Sequence, residues 1–372
     1  MGEPVTALPR QNVALVGCGH ISAQYLASLG RLPNLRLVSV TDPVADAADR
    51  VAAAQGVPAC RLNDVLADPD VEIILNLTPP QVHAPLTIQA LQAGKHVYLE
   101  KPFAVTLDEA EAMLAASAAA GRRIGSAPDT VLGTGIQTAR RLIDDGAIGQ
   151  PIAATAFLMS PGHEAWHPNP GFYYAAGGGP LLDMGVYYLT ALVTLLGPVA
   201  SVSAMSSRLR TERVVPEGSP RAGEVLPVQV DTYVAATLRH HSGVISTLIV
   251  SFDTVASGLP RIEVYGSSAS LDVPDPNQFA NPVGISGART EPFRPVDDLA
   301  GYPDAGRGYG LADMARAIAA GTPHRQSAEL GLHVHEVMER IAEASGAGRT
   351  VEVLSRCPRP AAVPPGARPE LA

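Results

Sequence analysis

Cysteine is scarce, with Cys18, Cys60 and Cys357 the only three in a chain of 372 residues. So sparse and odd a set argues against a disulfide framework and fits a reducing compartment. Long apolar runs are missing as well: no stretch of about eighteen consecutive apolar residues suggests a membrane span. The opening MGEPVTALPRQN lacks the basic region and apolar core of a secretion signal, so a cytoplasmic location is expected. Positive charge is in short supply, with 27 Lys and Arg against 36 Asp and Glu, for a net charge of −9. The basic runs are no longer than pairs such as Arg122-Arg123. Nucleic acid and anionic membrane both call for a basic surface, so a small molecule is the expected partner.

Hydrophobic residues make up 46% and charged residues 17%, a balance that suits a globular protein with an Ala- and Val-rich interior, and the length suggests two domains. Up to residue 127, short apolar runs (NVALVG, LRLVSV, VEIILNL, HVYLE, RRIGSA) alternate with amphipathic stretches at 22–32, 45–55, 82–92 and 108–120. Runs that are continuously apolar belong to strands covered on both faces, which predicts a doubly wound parallel sheet of Rossmann type over 1–127. From 128 to 355 the pattern changes to a helix at 135–145, a helix beginning near Leu181, and strands joined by turns at 240–243 and 266–268. The expectation there is an α+β domain on an open, mostly antiparallel sheet, with late helices at 311–320 and 329–344. Residues 356–372 are Pro-rich and are expected to be an unstructured tail.

The first strand runs into Gly17-Cys18-Gly19-His20-Ile21-Ser22. Glycines at 17 and 19 permit a tight turn and a close approach of backbone to a pyrophosphate, whose charge the next helix N-terminus favours. Ser22 stands where the third glycine of the fingerprint would be. The second strand ends at Asp42, placed to accept hydrogen bonds from a ribose 2′-hydroxyl; with no Arg in TDPVAD for a 2′-phosphate, NAD is preferred over NADP. The bland reading of Asp42 is a turn residue before Pro43.

A second motif points elsewhere. His163-Glu164-Ala165-Trp166-His167 fits the His-Glu-two residues-His spelling of a zinc peptidase, which needs both histidines on one helix face. Pro161-Gly162 precede it and Pro168-Asn169-Pro170 follow, and a helix of five residues pinned between prolines is marginal. A substrate loop is expected instead, with no metal. The only Trp of the chain could stack on the apolar face of a sugar, while His163, His167 and Tyr174 exchange hydrogen bonds with its hydroxyls. The bland alternative is a surface loop held by proline and aromatic packing.

With Thr78-Pro79-Pro80-Gln81-Val82-His83, Glu100-Lys101-Pro102 at a strand end, and GGGPLLDMGVYYL at 177–189, the chain resembles the glucose–fructose oxidoreductase / inositol dehydrogenase (Gfo/Idh/MocA) family over nearly its whole length. The resemblance implies a nucleotide domain followed by a substrate and oligomerisation domain, and hydride transfer between NAD and a ring secondary alcohol of a sugar, glycoside or cyclitol. It implies that Thr78, Pro79 and His83 border the cofactor, that Glu100 and Lys101 stand near the nicotinamide ribose, and that Lys101 and Asp183 act on the substrate. Where many relatives carry a proton-transferring His four residues after that Asp, this chain has Tyr187. Positions i and i+4 share an α-helix face, so Tyr187 is expected to serve, with a packed aromatic as the alternative. A homo-oligomer is implied too. Two rival readings keep the fold: an enzyme that retains NAD and works through a transient keto-sugar, and a non-catalytic NAD- or sugar-sensing regulator.

Overall fold

The computed structural model describes residues 9–371, and the chain divides into two compact units whose segments interleave. The first takes Met1–Gln137, Leu299–His335 and Pro360–Ala372; the second takes Thr138–Asp298 and Glu336–Arg359.

In the first unit β1 (Gln11–Val16), α1 (Ser22–Leu29), β2 (Leu35–Thr41), α2 (Ala45–Gln55), α3 (Leu62–Ala67), β3 (Ile73–Asn76), α4 (Pro80–Gln92), β4 (His96–Leu99), α5 (Leu107–Ala120) and β5 (Ile124–Ser126) follow in turn. The five strands form a parallel sheet in the order β2-β1-β3-β4-β5. Alternate residues point to opposite faces. Val13, Leu15, Ile73 and Leu75 meet Tyr25 of α1 and Val51 of α2 on one face, whereas Ala14, Val16, Ile74 and Val97 meet Leu86 and Leu91 of α4 and Met113 of α5 on the other. Both faces are dry, and for that reason the strands read as unbroken apolar runs. Thr106 caps α5, its hydroxyl accepting from the Glu109 amide, and the left-handed glycines Gly56 and Gly121 stop α2 and α5.

The second unit starts within α6 (Thr134–Asp144) and continues through β6 (Pro151–Met159), α7 (Val186–Leu196), β7 (Val199–Ser207), β8 (Glu212–Val214), β9 (Val225–Pro227), β10 (Tyr233–His240), β11 (Ile245–Ser251), β12 (Ile262–Gly266), β13 (Ser270–Val273), β14 (Val283–Ser286) and β15 (Arg294–Val296). The chain then returns to the first unit for α8 (Tyr309–Ala320) and the start of α9 (Ala328–Ala347) before adding β16 (Val351–Glu352) to the second. The large sheet has nine strands, β15-β14-β13-β12-β6-β11-β10-β7-β16, antiparallel throughout except for β6 beside β11. The expected turns are present: His240 closes on Val244 between β10 and β11, and Gly266 on Ala269 between β12 and β13. α7 is buried at every position, as its largely apolar sequence requires, and its two threonines return their hydroxyls to carbonyls one turn back, Thr190 to Val186 O and Thr194 to Thr190 O.

The last residues differ from expectation. Val363 is fully buried, its amide donates to Gln137 Oε1 at 2.8 Å, and the Arg325 guanidinium and Asn34 amide bond the carbonyls of Ala362 and Pro369 at 3.1 Å. Prolines that form no helix or strand still pack well when side-chain donors reach their carbonyls, so the Pro-rich tail is ordered against the first unit. α8 behaves likewise: Leu311 and Met314 join the core of the first sheet from far along the chain.

Among the described residues no helix is long and apolar enough to cross a membrane, and all three cysteines are free thiols.

Candidate active site

The carboxyl ends of β1, β2 and β3 open on a cleft of about 1080 Å³. Gly17 makes its corner with φ +100°, and a Cβ there would come within 2.7 Å of the Leu77 backbone. Gly19 is the opposite case: a Cβ built on it meets nothing within 4 Å, leaving room for a ligand against the backbone. Ser22, in the place of the third glycine, is buried and donates its hydroxyl to Gly19 O at 2.6 Å, which ties the turn to α1. Asp42 is held at the rim by two amides, Cys18 N on Oδ2 and Val44 N on Oδ1, each at 2.8 Å. The carboxylate is thereby fixed as an acceptor beside the turn. Burial, with Asp42 adding to it, pushes the Cys18 thiol up to about 11, so it is not a nucleophile at neutral pH.

Gly17, Gly19, His20, Ile21, Asp42, Thr78 and Pro79 all line this cleft. Thr78 is posed by Asn76, whose Oδ1 accepts its hydroxyl at 2.6 Å and its amide at 3.2 Å. His83, expected to border the cofactor, stands behind the wall. It is fully buried, with Nδ1 2.8 Å from Pro102 O and Nε2 2.9 Å from Thr78 O, and burial holds its pKa below the usual imidazole value. The ring braces the Thr78 turn against the Glu100–Pro102 turn. Val82, Leu86 and Gln89 of α4 line the cleft instead. They recur at helical spacing on one face, the signal by which the sequence could have disclosed them.

Glu100 and Lys101 lie at the end of β4 and are not among the cleft's lining residues. Glu100 is buried, accepting from its neighbour's amide, Lys101 N, at 2.8 Å and from Tyr25 Oη of α1 at 2.8 Å. Its carboxylate therefore fixes the turn that presents Lys101.

In the second unit His163–His167 is a turn and not an α-helix, as the flanking prolines require; His167 N closes on His163 O at 2.9 Å, and a single 3-10 turn, Pro170–Tyr173, follows. The zincin groups diverge. His163 Nε2 faces Asp183 Oδ2 at 3.0 Å, His167 Nδ1 accepts the Asn169 amide at 3.1 Å, and Glu164 takes Arg213 Nε at 2.7 Å on Oε1. Among the described residues no cluster of three or more His, Cys, Asp or Glu side chains is disposed to hold a metal.

Sequence reasoning missed Arg213. It sits on β8, almost wholly buried, and bonds Glu164, Asp253 Oδ1 at 2.7 Å, Phe252 O at 2.8 Å and the Pro161 carbonyl. Tyr174, expected as a substrate contact, is fully buried and gives its hydroxyl to Glu164, with Arg213 5.1 Å over its ring. Burial raises its pKa, so it remains a neutral donor. Trp166, 63% exposed, and His167 remain at the surface of the loop.

Asp183 lies in a π-helical turn, Leu181–Gly185, that runs into α7; Tyr187 follows in the first turn of α7, 5% exposed. Single π turns recur at functional sites. Their wider winding also means that the i, i+4 rule, which assumes an α-helix, does not carry over to Asp183 and Tyr187.

Comparison with known proteins follows the same division. Residues 11–127 match the model of an oxidoreductase family with an NAD-binding Rossmann fold, and residues 136–272 match the GFO/IDH/MocA C-terminal domain. The chain is 27% identical to 1,5-anhydro-D-fructose reductase of Ensifer adhaerens over 91% of its own length and 97% of the relative's. It is 24% identical to levoglucosan dehydrogenase of Pseudarthrobacter phenanthrenivorans, covering 92% and 98%. The fold is shared with aldose-aldose oxidoreductase from Caulobacter crescentus at a TM-score of 0.77, 24% identity, and coverage of 92% and 99%. With both domains matched in order, the chain belongs to the Gfo/Idh/MocA family of oxidoreductases and carries its NAD-binding Rossmann domain.

Proposed function

We propose that this protein interconverts a ring secondary alcohol of a sugar, glycoside or cyclitol with the corresponding ketone. The observation that carries the reading is the glycine-cornered cleft with Asp42 pinned at its rim, at the carboxyl ends of parallel strands where open α/β sheets bind ligands. Relatives named for anhydrofructose, levoglucosan and inositol support the substrate class. Bound nicotinamide supplies a hydride acceptor or donor. The chain's own residues supply position and charge. Gly17 and Gly19 admit the pyrophosphate, and Asp42 accepts from the ribose diol and repels a 2′-phosphate, which favours NAD. Glu100 sets the turn that presents Lys101, whose ammonium stabilises the oxygen that loses its proton. Asp183 and Tyr187 orient and deprotonate the hydroxyl. Trp166 and His167 offer an exposed ring and an imidazole to the sugar. In this reading residues 1–127 bind the cofactor, and 128–355 bind substrate and pair subunits into a homo-oligomer through the large sheet. The enzyme works in the cytoplasm, in keeping with its free thiols.

The test is absorbance at 340 nm as hexoses, inositols and glycosides are added with excess NAD. Stoichiometric NADH with one substrate class is the expected result. A single turnover on bound nicotinamide without accumulation would replace release by a retained-cofactor reaction, and NAD binding with no spectral response to any substrate would favour a sensor.

A further inference from the structure

His163 has little left to offer a substrate. Nε2 is 3.0 Å from Asp183 Oδ2, the backbone N–H donates to Tyr174 Oη at 3.3 Å, and Nδ1 is buried without a hydrogen-bond partner among the described residues. The ring is 8% exposed and boxed by Tyr173 at 4.1 Å, Phe252 at 4.6 Å and Trp166 at 5.2 Å. A carboxylate only accepts, so an imidazole facing one through Nε2 carries its proton there. Nδ1 then lies bare in the interior, a cost that folds normally avoid. A fold that keeps this orphan keeps the ring for its other end.

The surroundings fix the ring from several elements. From its own loop come Glu164, Tyr173 and Tyr174, with His167 behind Tyr173 at a ring distance of 5.0 Å; from the π turn comes Asp183; from β8 comes Arg213; after β11 come Phe252 and Asp253. Glu164 and Asp253 are both paired with Arg213. Asp183 is the carboxylate that meets the imidazole.

We propose that His163 is the positioning residue of Asp183: its Nε2–H sets which way the carboxylate turns and keeps it ionised, without itself touching substrate. The contact joins residues 20 apart, in a loop and a π turn, so it holds the loop and the helix start in one geometry. The chemical value of the pairing rests on the reading of Asp183 as a substrate-facing group; the pairing itself does not.

The test uses the full chain with His163→Gln, His163→Leu and Asp183→Asn. Imidazole ¹⁵N NMR, without cofactor or substrate, identifies the His163 signals by their loss in His163→Gln. The expected result is a ring protonated at Nε2, whose Nε2 shift moves in Asp183→Asn because the facing carboxylate is gone. An Nε2 shift indifferent to Asp183→Asn would overturn the proposal. With a substrate from the panel, His163→Leu lowers kcat about 10–100-fold and moves the acid limb of its pH profile up by about 1–2 units. His163→Gln, which keeps a terminal N–H donor, recovers most of both. Equal losses in Gln and Leu with no movement of the limb would reduce His163 to packing and overturn the proposal. Silence across the substrate panel with the NMR coupling intact would leave the pairing standing and bring down the functional reading instead.

Discussion

The cofactor cleft and the 163–174 loop spend their polar groups differently. In the cleft, backbone and short side chains at strand ends are held by neighbours and face open space: Asp42 is fixed by amides, Gly19 by Ser22 through its carbonyl with its Cα side open, and the shape is set by local turns. In the loop, side chains are held by one another over long separations. Arg213 reaches Glu164 across 49 residues and Asp253 across 40, and Tyr174 and His163 are anchored through them. A nucleotide common to many enzymes needs one backbone solution. A particular substrate needs a surface that can be rebuilt, and in the proposed reading the second unit holds that surface on buried charge.

Breaking that charge should produce the largest effect. Arg213→Ala leaves the buried Glu164 without its cation, and half-buried Asp253 with Arg210 at 4.0 Å as its remaining cation, a loss of about 3–5 kcal/mol where a buried pair is broken. Thermal unfolding should show the second unit failing first, while NAD binding by the first unit survives below that transition. Arg213→Met combined with Glu164→Gln, which removes the buried pair, keeps the volume and leaves Asp253 to Arg210, should recover part of the loss.

Acid presents the same contrast from the other side. Burial is the leading cause that lowers the pKa of His83, His96 and His324 in the first unit and of His240 in the second, with His96 and His240 brought to about 4. Above the unfolded value near 6.5 these rings cost nothing. As pH falls below it the unfolded chain takes up protons that the folded rings refuse, so stability drops until about pH 4. Three of the four lie in the first unit, which should be the more acid-labile. His96→Asn keeps an acceptor for the Arg123 amide, which bonds His96 Nδ1 at 2.9 Å, and should flatten the fall in Tm between pH 7 and 5.

The two glycines of the turn separate folding from binding. Gly17→Ala forces a side chain into the Leu77 backbone at positive φ and should cost about 1–3 kcal/mol. Gly19→Val should leave Tm unchanged and weaken NAD about tenfold or more, because its side chain enters ligand space. A stability loss from Gly19→Val, measured by denaturation, would mean that the open space is not real.

This contrast also explains what the sequence disclosed. The strands and helices of the first sheet were legible because periodicity is local: α2 runs Ala45–Gln55 as expected, and α5 starts at the Thr106 cap. Gly17, Gly19 and Asp42 were legible because their spacing along the chain encodes their turn, whereas Thr78 was reached only through the family resemblance. Arg213 was not, since nothing near ERV in β8 announces a partner in another segment. The order of residues 356–371, the burial of Tyr174 and the withdrawal of His83 from the cleft are long-range facts of the same kind. The π turn at Asp183 was hidden for another reason: LLDMG reads as any helix start, and only packing chooses the wider winding.

The smallest expected effect is the finest test. Tyr25 and Tyr174 are both fully buried and each donates to a carboxylate, Glu100 in the first unit and Glu164 in the second. Burial raises the pKa of both phenols, so both stay donors at any working pH. Phenylalanine keeps either ring in its core and deletes one hydrogen bond. Each deletion takes the donor from one carboxylate oxygen, Oε2 of Glu164 and Oε1 of Glu100; the other oxygen keeps the Arg213 guanidinium in Glu164 and the Lys101 amide in Glu100. Tyr174→Phe should cost about 1 kcal/mol, because the Arg213 guanidinium still balances the Glu164 charge, and Tyr25→Phe about 1–3 kcal/mol, because the donor left on Glu100 is an uncharged amide. Urea unfolding of the two variants compares them directly. The order matters more than the size: equal costs would mean that Glu100 is satisfied from elsewhere, and that the turn presenting Lys101 does not depend on α1.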